Sequence, residues 1–346
     1  MSFWKIGLKV ALASGLACGA AAGAAHAQGA ACKEMRPLKI GVAVVPPNVV
    51  HTTPYVAKEL GLFEKHCIAP EIIAFEGGAS AALSAALQQG EIIANVTDIM
   101  VGNGMKAHQV WGFAPKLPQS YMVSAEVKTP ADLKGKRLSA AGGGVGGFNW
   151  RMGRAMLADA GLTVDDAVWV SQGLAGRLPG LLTGQLDGVS LHPEDVYLAQ
   201  KQKPELHVLS VLAEKMPDYV FNMYGAADSM IARDRPLLVD AMAAMIEANR
   251  AMYQQRDKVV PIIAKATEKP EEAVRAAMDV LTKNCVWAVN TGFDRARMEW
   301  TAENNVEIGD IPKETKPSYE QLVDDSIARE AVAKAGGEAE INGCKI

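Results

Sequence analysis

The chain has 346 residues, nearly half of them apolar and 21% charged, with a mean hydropathy close to zero. That composition excludes disorder, collagen and coiled coil, and the length leaves room for two ordinary domains. The formal charge of −4, without a long run of Lys or Arg, offers no basic footprint for nucleic-acid phosphates, so no nucleic-acid partner is expected.

The chain opens with Lys5 and Lys9, continues through an Ala-rich apolar stretch over 10–25 and reaches the small-residue pattern Ala25-His26-Ala27. This reads as a secretory signal over residues 1–27, cleaved after Ala27, and places the rest of the chain in the periplasm. Its removal takes two lysines and no acid, which moves the net charge from −4 to −6. Later apolar runs such as 92–96 fall far short of the roughly 20 residues of a membrane span. Gly15 and Gly29, three positions before Cys18 and Cys32, do not suit lipid anchoring. The exported chain keeps Cys32, Cys67, Cys285 and Cys344, an even number in an oxidising compartment, and two disulfides are expected. Cys32 precedes the first strand and Cys67 ends the first helix, which puts both at one sheet edge and favours their pairing. Cys285 then takes Cys344 and pins the tail. No Cys-x-x-Cys or His-rich spacing asks for a metal, and no cofactor is expected.

In chain order, 38–45 is a strand, the Pro46-Pro47-Asn48 turn follows, and Thr53-Pro54 opens a helix with Thr53 as cap. A strand over 72–75, a Gly77-Gly78-Ala79-Ser80 turn, a helix carrying Leu83 and Leu87, and a strand over 92–96 come next. The pattern restarts with a strand over 137–141, a glycine-rich turn over 142–147 and a helix to about Ala160. Strand 168–171, helix 177–183, strand 188–191 and strand 206–212 complete the second unit. Strands alternating with helices of this length predict parallel sheets with crossover helices. From Pro236 the chain reads as helical over 236–255, 258–266, 271–284, 294–304 and 318–335. Extended segments near Ser120–Ser124 and Val220–Met223, with no flexible linker between the halves, predict two lobes joined by two crossing strands. The expected division is residues 36–122 with 222–312 in lobe one, 123–221 in lobe two and a helical tail over 313–346. The ligand site belongs in the cleft between the lobes.

In open α/β sheets ligands sit beyond the carboxyl ends of the strands, so the loops there supply the candidates. They are His51 and Thr52 after the first strand, Gly78 and Ser80 after the second, and Thr97 and Asp98 after the third. The second unit adds Gly144, Val145, Gly146, Gly147 and Phe148, then His192 and Glu194. Several of these loops run into helix N-termini, where free amides and the helix dipole favour an anion. Gly142–Gly147 formally satisfies G-x-G-x-x-G, but the next strand ends in Ser171-Gln172-Gly173, without the acid that would hold a ribose. Arg177 is read as a surface residue, and Met230, Met242, Met245 and Met252 as helical core. No nucleophile elbow, His-Glu-x-x-His or working carboxylate pair is present, so no enzyme is expected.

Several segments in order carry a resemblance: Thr53-Pro54-Tyr55-Val56-Ala57-Lys58-Glu59-Leu60-Gly61-Leu62-Phe63-Glu64, Gly77-Gly78-Ala79-Ser80, Ala86-Leu87-Gln88-Gln89-Gly90-Glu91-Ile92, Thr129-Pro130-Ala131-Asp132-Leu133-Lys134-Gly135-Lys136 and Leu181-Leu182-Thr183-Gly184-Gln185-Leu186-Asp187-Gly188. Over about 38–260 the chain resembles the nitrate, sulfonate and taurine group of substrate-binding proteins of ABC importers. The resemblance implies a two-lobed type II periplasmic binding protein, each lobe a mainly parallel sheet flanked by helices. It implies a monomer that closes on a small organic anion, a carboxylate or sulfonate, and delivers it to a membrane permease. The same superfamily contains an enzyme that makes the thiamine pyrimidine with a cysteine-rich motif. This chain lacks that motif, but a thiamine-precursor pyrimidine is kept as the alternative ligand. The acids Asp98 and Glu194 would suit a ligand with an amine or ring nitrogen, and His51 and His192 a carboxylate.

Overall fold

The structure, a computed structural model, describes residues 32–76 and 81–346, so the expected signal over 1–27 and the turn residues Gly78 and Ser80 lie outside the described residues. Residues 34–346 form one compact unit built on two sheets. The first sheet contains β1 (Arg36–Val42), β2 (Ile68–Ala74), β3 (Ala94–Asn95) and β4 (Ala107–Ala114). Between these strands run α1 (Thr53–Glu59), α2 (Leu62–Lys65), α3 (Ala81–Gln88) and α4 (Asp98–Gly102). The chain crosses over and builds the second sheet from β5 (Ser120–Val123), β6 (Arg137–Ser139), β7 (Val168–Val170), β8 (Gly188–Leu191) and β9 (His207–Val211). Its helices are α5 (Phe148–Ala158), α6 (Arg177–Leu182), α7 (Pro193–Gln202) and α8 (Leu212–Lys215). The chain then returns to the first sheet as β10 (Asn222–Ala227) and continues as α9 (Asp228–Gln254), α10 (Arg256–Thr267), α11 (Glu271–Lys283), α12 (Arg295–Glu307), α13 (Tyr319–Leu322) and α14 (Asp325–Lys334).

Both sheets have one topology. β1 and β2 pair in parallel, and an isolated parallel bridge between Ile40 and Ile93 ties β1 to the start of β3. The returning strand β10 then lies antiparallel between β3 and β4. In the second sheet the order is β7-β6-β8-β5-β9, with β6 parallel to both β7 and β8, and the arriving strand β5 antiparallel between β8 and β9. Each lobe is therefore a parallel α/β unit completed by an antiparallel strand that comes from the other lobe. The two crossings run side by side, with the Phe221 amide donating to the Pro115 carbonyl at 3.1 Å. This is the two-lobed α/β architecture that the sequence predicts.

Several features depart from the sequence reading, among them the helix expected over 236–255, which begins at Asp228 and holds Pro236 inside it. β4 was not anticipated, because His108 and Gln109 interrupt its apolar run, yet seven of its eight residues are buried. The expected helix over 318–335 is two helices, separated by Val323, which is extended and bridges Gln109 on β4. The tail thus covers a strand edge that would otherwise expose its hydrogen-bonding groups. Thr53 does not cap α1. Thr52 holds that position, and the buried Thr53 hydroxyl donates to Asn249 Oδ1 at 2.8 Å.

The apolar cores differ between the lobes. One large cluster in lobe one contains Phe63, Trp111, Trp287 and the α9 methionines Met230, Met242, Met245 and Met252. Lobe two divides into a cluster around Tyr121, Leu138 and Met156 and another around Leu181, Val189 and Leu191. Cys285 and Cys344 form a disulfide, and Cys32 and Cys67 are disulfide-bonded as well. Among the described residues no helix is long and apolar enough to cross a membrane, and no group of three His, Cys, Asp or Glu side chains could hold a metal ion.

Candidate functional site

A cavity of about 480 Å³ opens at the carboxyl ends of the parallel strands, with walls from both lobes. Its lobe-one wall starts from the loop after β1. The chain turns through Asn48 into a 3-10 turn, Val49–His51, where both Asn48 and His51 are buried. Asn48 joins the lobes. Its amide donates to Glu194 Oε1 at 2.9 Å, and its Oδ1 accepts from Arg177 Nη2 at 3.1 Å. The Val49 amide donates to the same Glu194 oxygen at 3.0 Å. Two ion pairs flank the cleft: Lys269 with Asp195 at 2.5 Å, and Arg151 with Asp310 at 3.3 Å. Lobe one and lobe two are therefore drawn together around the cavity.

Arg177 opens α6 and is 4% exposed. Its hydrogen bonds go to neutral oxygens: Leu174 O at 3.0 Å, Ser190 O at 3.4 Å and Asn48 Oδ1. A guanidinium has five N–H donors, and these three bonds leave two for a ligand. Burial lowers the Arg177 pKa, while Asp195 and Glu194 oppose the shift. Arg151 also lines the cavity, with its Nε buried and unpartnered. Among the described residues, two arginines and no Asp or Glu line this cavity. A low-dielectric pocket of that composition favours a negatively charged guest.

His51 and His192 face each other, with ring centroids 5.5 Å apart and an edge-on orientation. Burial, followed by the Arg177 charge, lowers the His51 pKa to about 3, and the same two causes hold His192 well below its ordinary value. Both rings are neutral at physiological pH. The Nε2 of His51 meets Asn222 Nδ2 at 3.0 Å, and the Nε2 of His192 meets Gln119 Nε2 at 3.2 Å. With the amide nitrogens donating, each Nε2 accepts and the ring proton sits on Nδ1; both Nδ1 atoms are buried without a partner. Gln119 and Asn222 stand at the two lobe crossings, so each crossing orients one histidine.

The glycine-rich turn requires glycine for backbone reasons. Gly142, Gly143, Gly144 and Gly146 have φ of 68, 115, 67 and 84 degrees, in the left-handed region that side chains resist. Gly147 is then the N-cap of α5 and has no side chain to cap it, so first-turn amides are left for a ligand. Gly146, Gly147 and Phe148 line the cavity, as does Val145, although it is 72% exposed; Gly144 lies behind, donating its amide to the Ala140 carbonyl. The Phe148 ring packs 5.3 Å from Phe221, and Phe221 lies 6.2 Å from each histidine ring.

Other expected residues have other placements. Thr97 lines the cavity, but its hydroxyl caps α4 by accepting from the Met100 amide at 3.2 Å. Thr52 is fully buried outside the cavity and donates to Val49 O at 2.8 Å. Asp98 faces a small adjoining chamber of about 30 Å³, where it accepts from Asn305 Nδ2 at 2.8 Å, and burial raises its pKa. Glu194 does not line the cavity; burial, followed by the Asp195 charge, raises its pKa to about 7. Arg177, read as a surface residue, is buried, which corrects that expectation: a cation beside helix α6 is held inward by carbonyls that the sequence does not display. Asn48, Gln119, Asn149, Arg151, Phe221 and Asn222 were not singled out as ligand residues. Only Asn48, next to Pro46-Pro47, carried a local sign of its place, because the others acquire their roles from the lobe crossings or from the start of α5.

A family model described as NMT1/THI5 like matches residues 48–259. No curated protein matches the chain in sequence. Among solved structures it is similar to the periplasmic aliphatic sulphonate binding protein SsuA from Escherichia coli, with a TM-score of 0.65 and 20% identity, covering 84% of this chain and 92% of that one. It is also similar to the periplasmic nitrate-binding protein NrtA from Synechocystis PCC 6803, with a TM-score of 0.68 and 13% identity over 87% and 89% of the two chains. The desulfurization enzyme DSZB shares the fold too, with a TM-score of 0.64 and 14% identity over 86% and 99%.

Proposed function

The chain belongs to the NMT1/THI5-like family, and from that premise we propose that it is the periplasmic solute-binding component of an ABC importer. It captures a small organic anion between its lobes by closure and hands it to a membrane permease as a monomer. The observation that carries this reading is the charge of the cavity wall, two arginines and no acid among the described residues. Arg177 is the stronger anchor, because its direct hydrogen bonds go to neutral oxygens rather than to a carboxylate. Amides at the start of α5 add partial positive charge from the same wall. The bonds from Asn48 and Val49 to Glu194 support closure, since they need the two lobes in contact.

Binding without turnover is supported by the lining, which among the described residues contains no Ser or Cys, and by the engagement of the Thr97 hydroxyl in a helix cap. A thiamine-precursor pyrimidine loses its expected acidic partners, because Asp98 faces the adjoining chamber and Glu194 bonds to Asn48 and Val49. A thermal-shift screen of residues 28–346 against carboxylates, sulfonates and nitrate tests the reading. A ligand at 100 times its Kd adds about 2.7 kcal/mol of stability. A folded protein that shifts with neutral or cationic compounds and with no anion would overturn it.

A further inference from the structure

The two arginines that line the cavity belong to different parts of its wall. Arg177 stands by the histidines: it bonds to Ser190 O, two residues before His192, and to Asn48, three residues before His51, and its charge acts on both rings. The wall continues from there through Phe221, 6.2 Å from each histidine ring, to Phe148, 5.3 Å from Phe221. Arg151 follows Phe148 by three residues on α5, which puts both on one face of that helix, and it borders the small adjoining chamber together with Phe221. The charges that act on Arg177 are Asp195 and Glu194, with no Arg151 among them. Two cations therefore bracket an aromatic stretch instead of converging on one point.

Both have donors to give. Arg177 keeps two N–H groups beyond its three bonds to neutral oxygens. Arg151 Nη1 bonds to Asp310 at 3.3 Å, and its Nη2 makes no hydrogen bond among the described residues and, unlike Nε, is not sealed from solvent. Arg154 lies 3.8 Å from the same Asp310 oxygen, so two guanidinium groups share one carboxylate. Asp98, the other acid near Arg151, faces the chamber and bonds to Asn305, and burial raises its pKa. Between the arginines, Phe148 and Phe221 are only half-buried although they line an enclosed cavity, so apolar surface is left there for a ligand to cover. The volume of about 480 Å³ lies in the range that encloses a whole organic molecule.

We infer that the ligand is an organic dicarboxylate, with one carboxylate at Arg177, an apolar spacer along Phe221 and Phe148, and the second carboxylate at Arg151. This rests on the anion-binding reading above and narrows it to one ligand class. A monoacid matches the donors of one arginine only, and in a pocket of low dielectric the second charge pair adds to the first.

Calorimetric titration of residues 28–346 tests it by comparing each diacid with the monoacid of the same body: adipate with hexanoate, suberate with octanoate and terephthalate with benzoate, with nitrate and an aminopyrimidine alongside. The best diacid is expected to bind at least tenfold tighter than its monoacid. In Arg151→Gln, checked for folding by circular dichroism, that preference falls at least threefold. Asp310→Asn breaks the ion pair but keeps the guanidinium, so the preference survives there even if both affinities drop. A role for Arg151 in holding the lobes alone would instead lower diacid and monoacid alike in Arg151→Gln and leave their ratio unchanged, which overturns the second subsite. If Arg151→Gln does not fold, the ratio in the unmodified protein decides. A preference below tenfold in the unmodified protein overturns the dicarboxylate assignment while the anion reading stands. Binding of the aminopyrimidine alone, or of no compound in the panel, overturns both.

Discussion

Lobe one and lobe two share a strand order but stabilise their binding loops differently. Lobe one packs its loops against one large core, with a smaller cluster around Leu83, Leu87 and Ile92, and the large core is reinforced by the trailing helices and by the Cys285–Cys344 disulfide; its site loop is anchored where the Trp287 indole donates to Val50 O at 3.1 Å. Lobe two has two smaller cores on opposite faces of its sheet, contains no disulfide among the described residues, and shapes its wall with glycines and a buried arginine. A lobe with a deep core can hold neutral groups by packing. The thinner lobe brings charge and free amides to the cavity, where a ligand completes the electrostatics.

Breaking the disulfide tests the first half of that contrast and has the largest expected effect. Closing a loop of 59 residues stabilises by about 4 kcal/mol on chain-entropy grounds. The Cys285→Ser, Cys344→Ser double variant should lose about that much in denaturant unfolding, with the loss reported by lobe-one probes. An unchanged midpoint would show that packing alone holds the tail.

Arg177→Leu tests the second half. It removes the buried charge and is expected to weaken anion binding at least a hundredfold in calorimetry, while the unfolding midpoint moves little. Equal affinity in the variant would remove Arg177 from the site. Asn48→Ala removes the bonds to both Arg177 and Glu194. Two buried bonds of this kind contribute about 1–3 kcal/mol together, so affinity should fall about tenfold to a hundredfold with each lobe still folded.

The pH dependence separates the groups that meet on closure. His51 and His192 are neutral in the closed arrangement because their pKa values are lowered; once hydrated by opening they would return toward about 6.5. Closing therefore releases protons below pH 6.5 and becomes easier as pH rises toward it. Glu194 has the opposite sign. Its pKa of about 7 when closed exceeds the ordinary 4.5, so closing takes up a proton between these values and becomes harder as pH rises through them. Two histidines outweigh one glutamate, and affinity should strengthen from pH 5 to 6.5. Glu194→Gln keeps an acceptor for Asn48 and Val49 but removes the opposing proton, so the rise should steepen by up to one decade per pH unit. A shallower rise in the variant would show that Glu194 does not titrate on closure. The smallest effect belongs to Lys269→Ala, which removes a partly exposed pair with Asp195 and should change affinity only a few-fold.

Much of the scaffold was legible locally. The alternation of strand and helix and the helical character of the second half follow from periodicity and turn residues, which act over a few positions, although the first long helix begins at Asp228 rather than Pro236. β4 was not, since His108 and Gln109 look solvated until the tail over Val323 and Asp324 covers that edge. His51 and His192 were found because they follow strands. Their partners Asn222 and Gln119 were not, because these lie 171 and 73 residues away in the chain. Glu194 was singled out as a ligand residue, but it lies outside the cavity and bonds instead to Asn48, 146 residues distant, a contact that no local pattern displays.

By itself the sequence determined the two α/β units, the positions of their site loops and the cysteines available for bridging, because each depends on short-range pattern and residue chemistry. The tertiary structure alone decided which polar groups face the cavity, which charged groups bond to neutral partners and which histidine nitrogens lack a partner. Those properties are sums over groups brought together from both lobes, and burial, which sets their energies, is a property of the assembled fold.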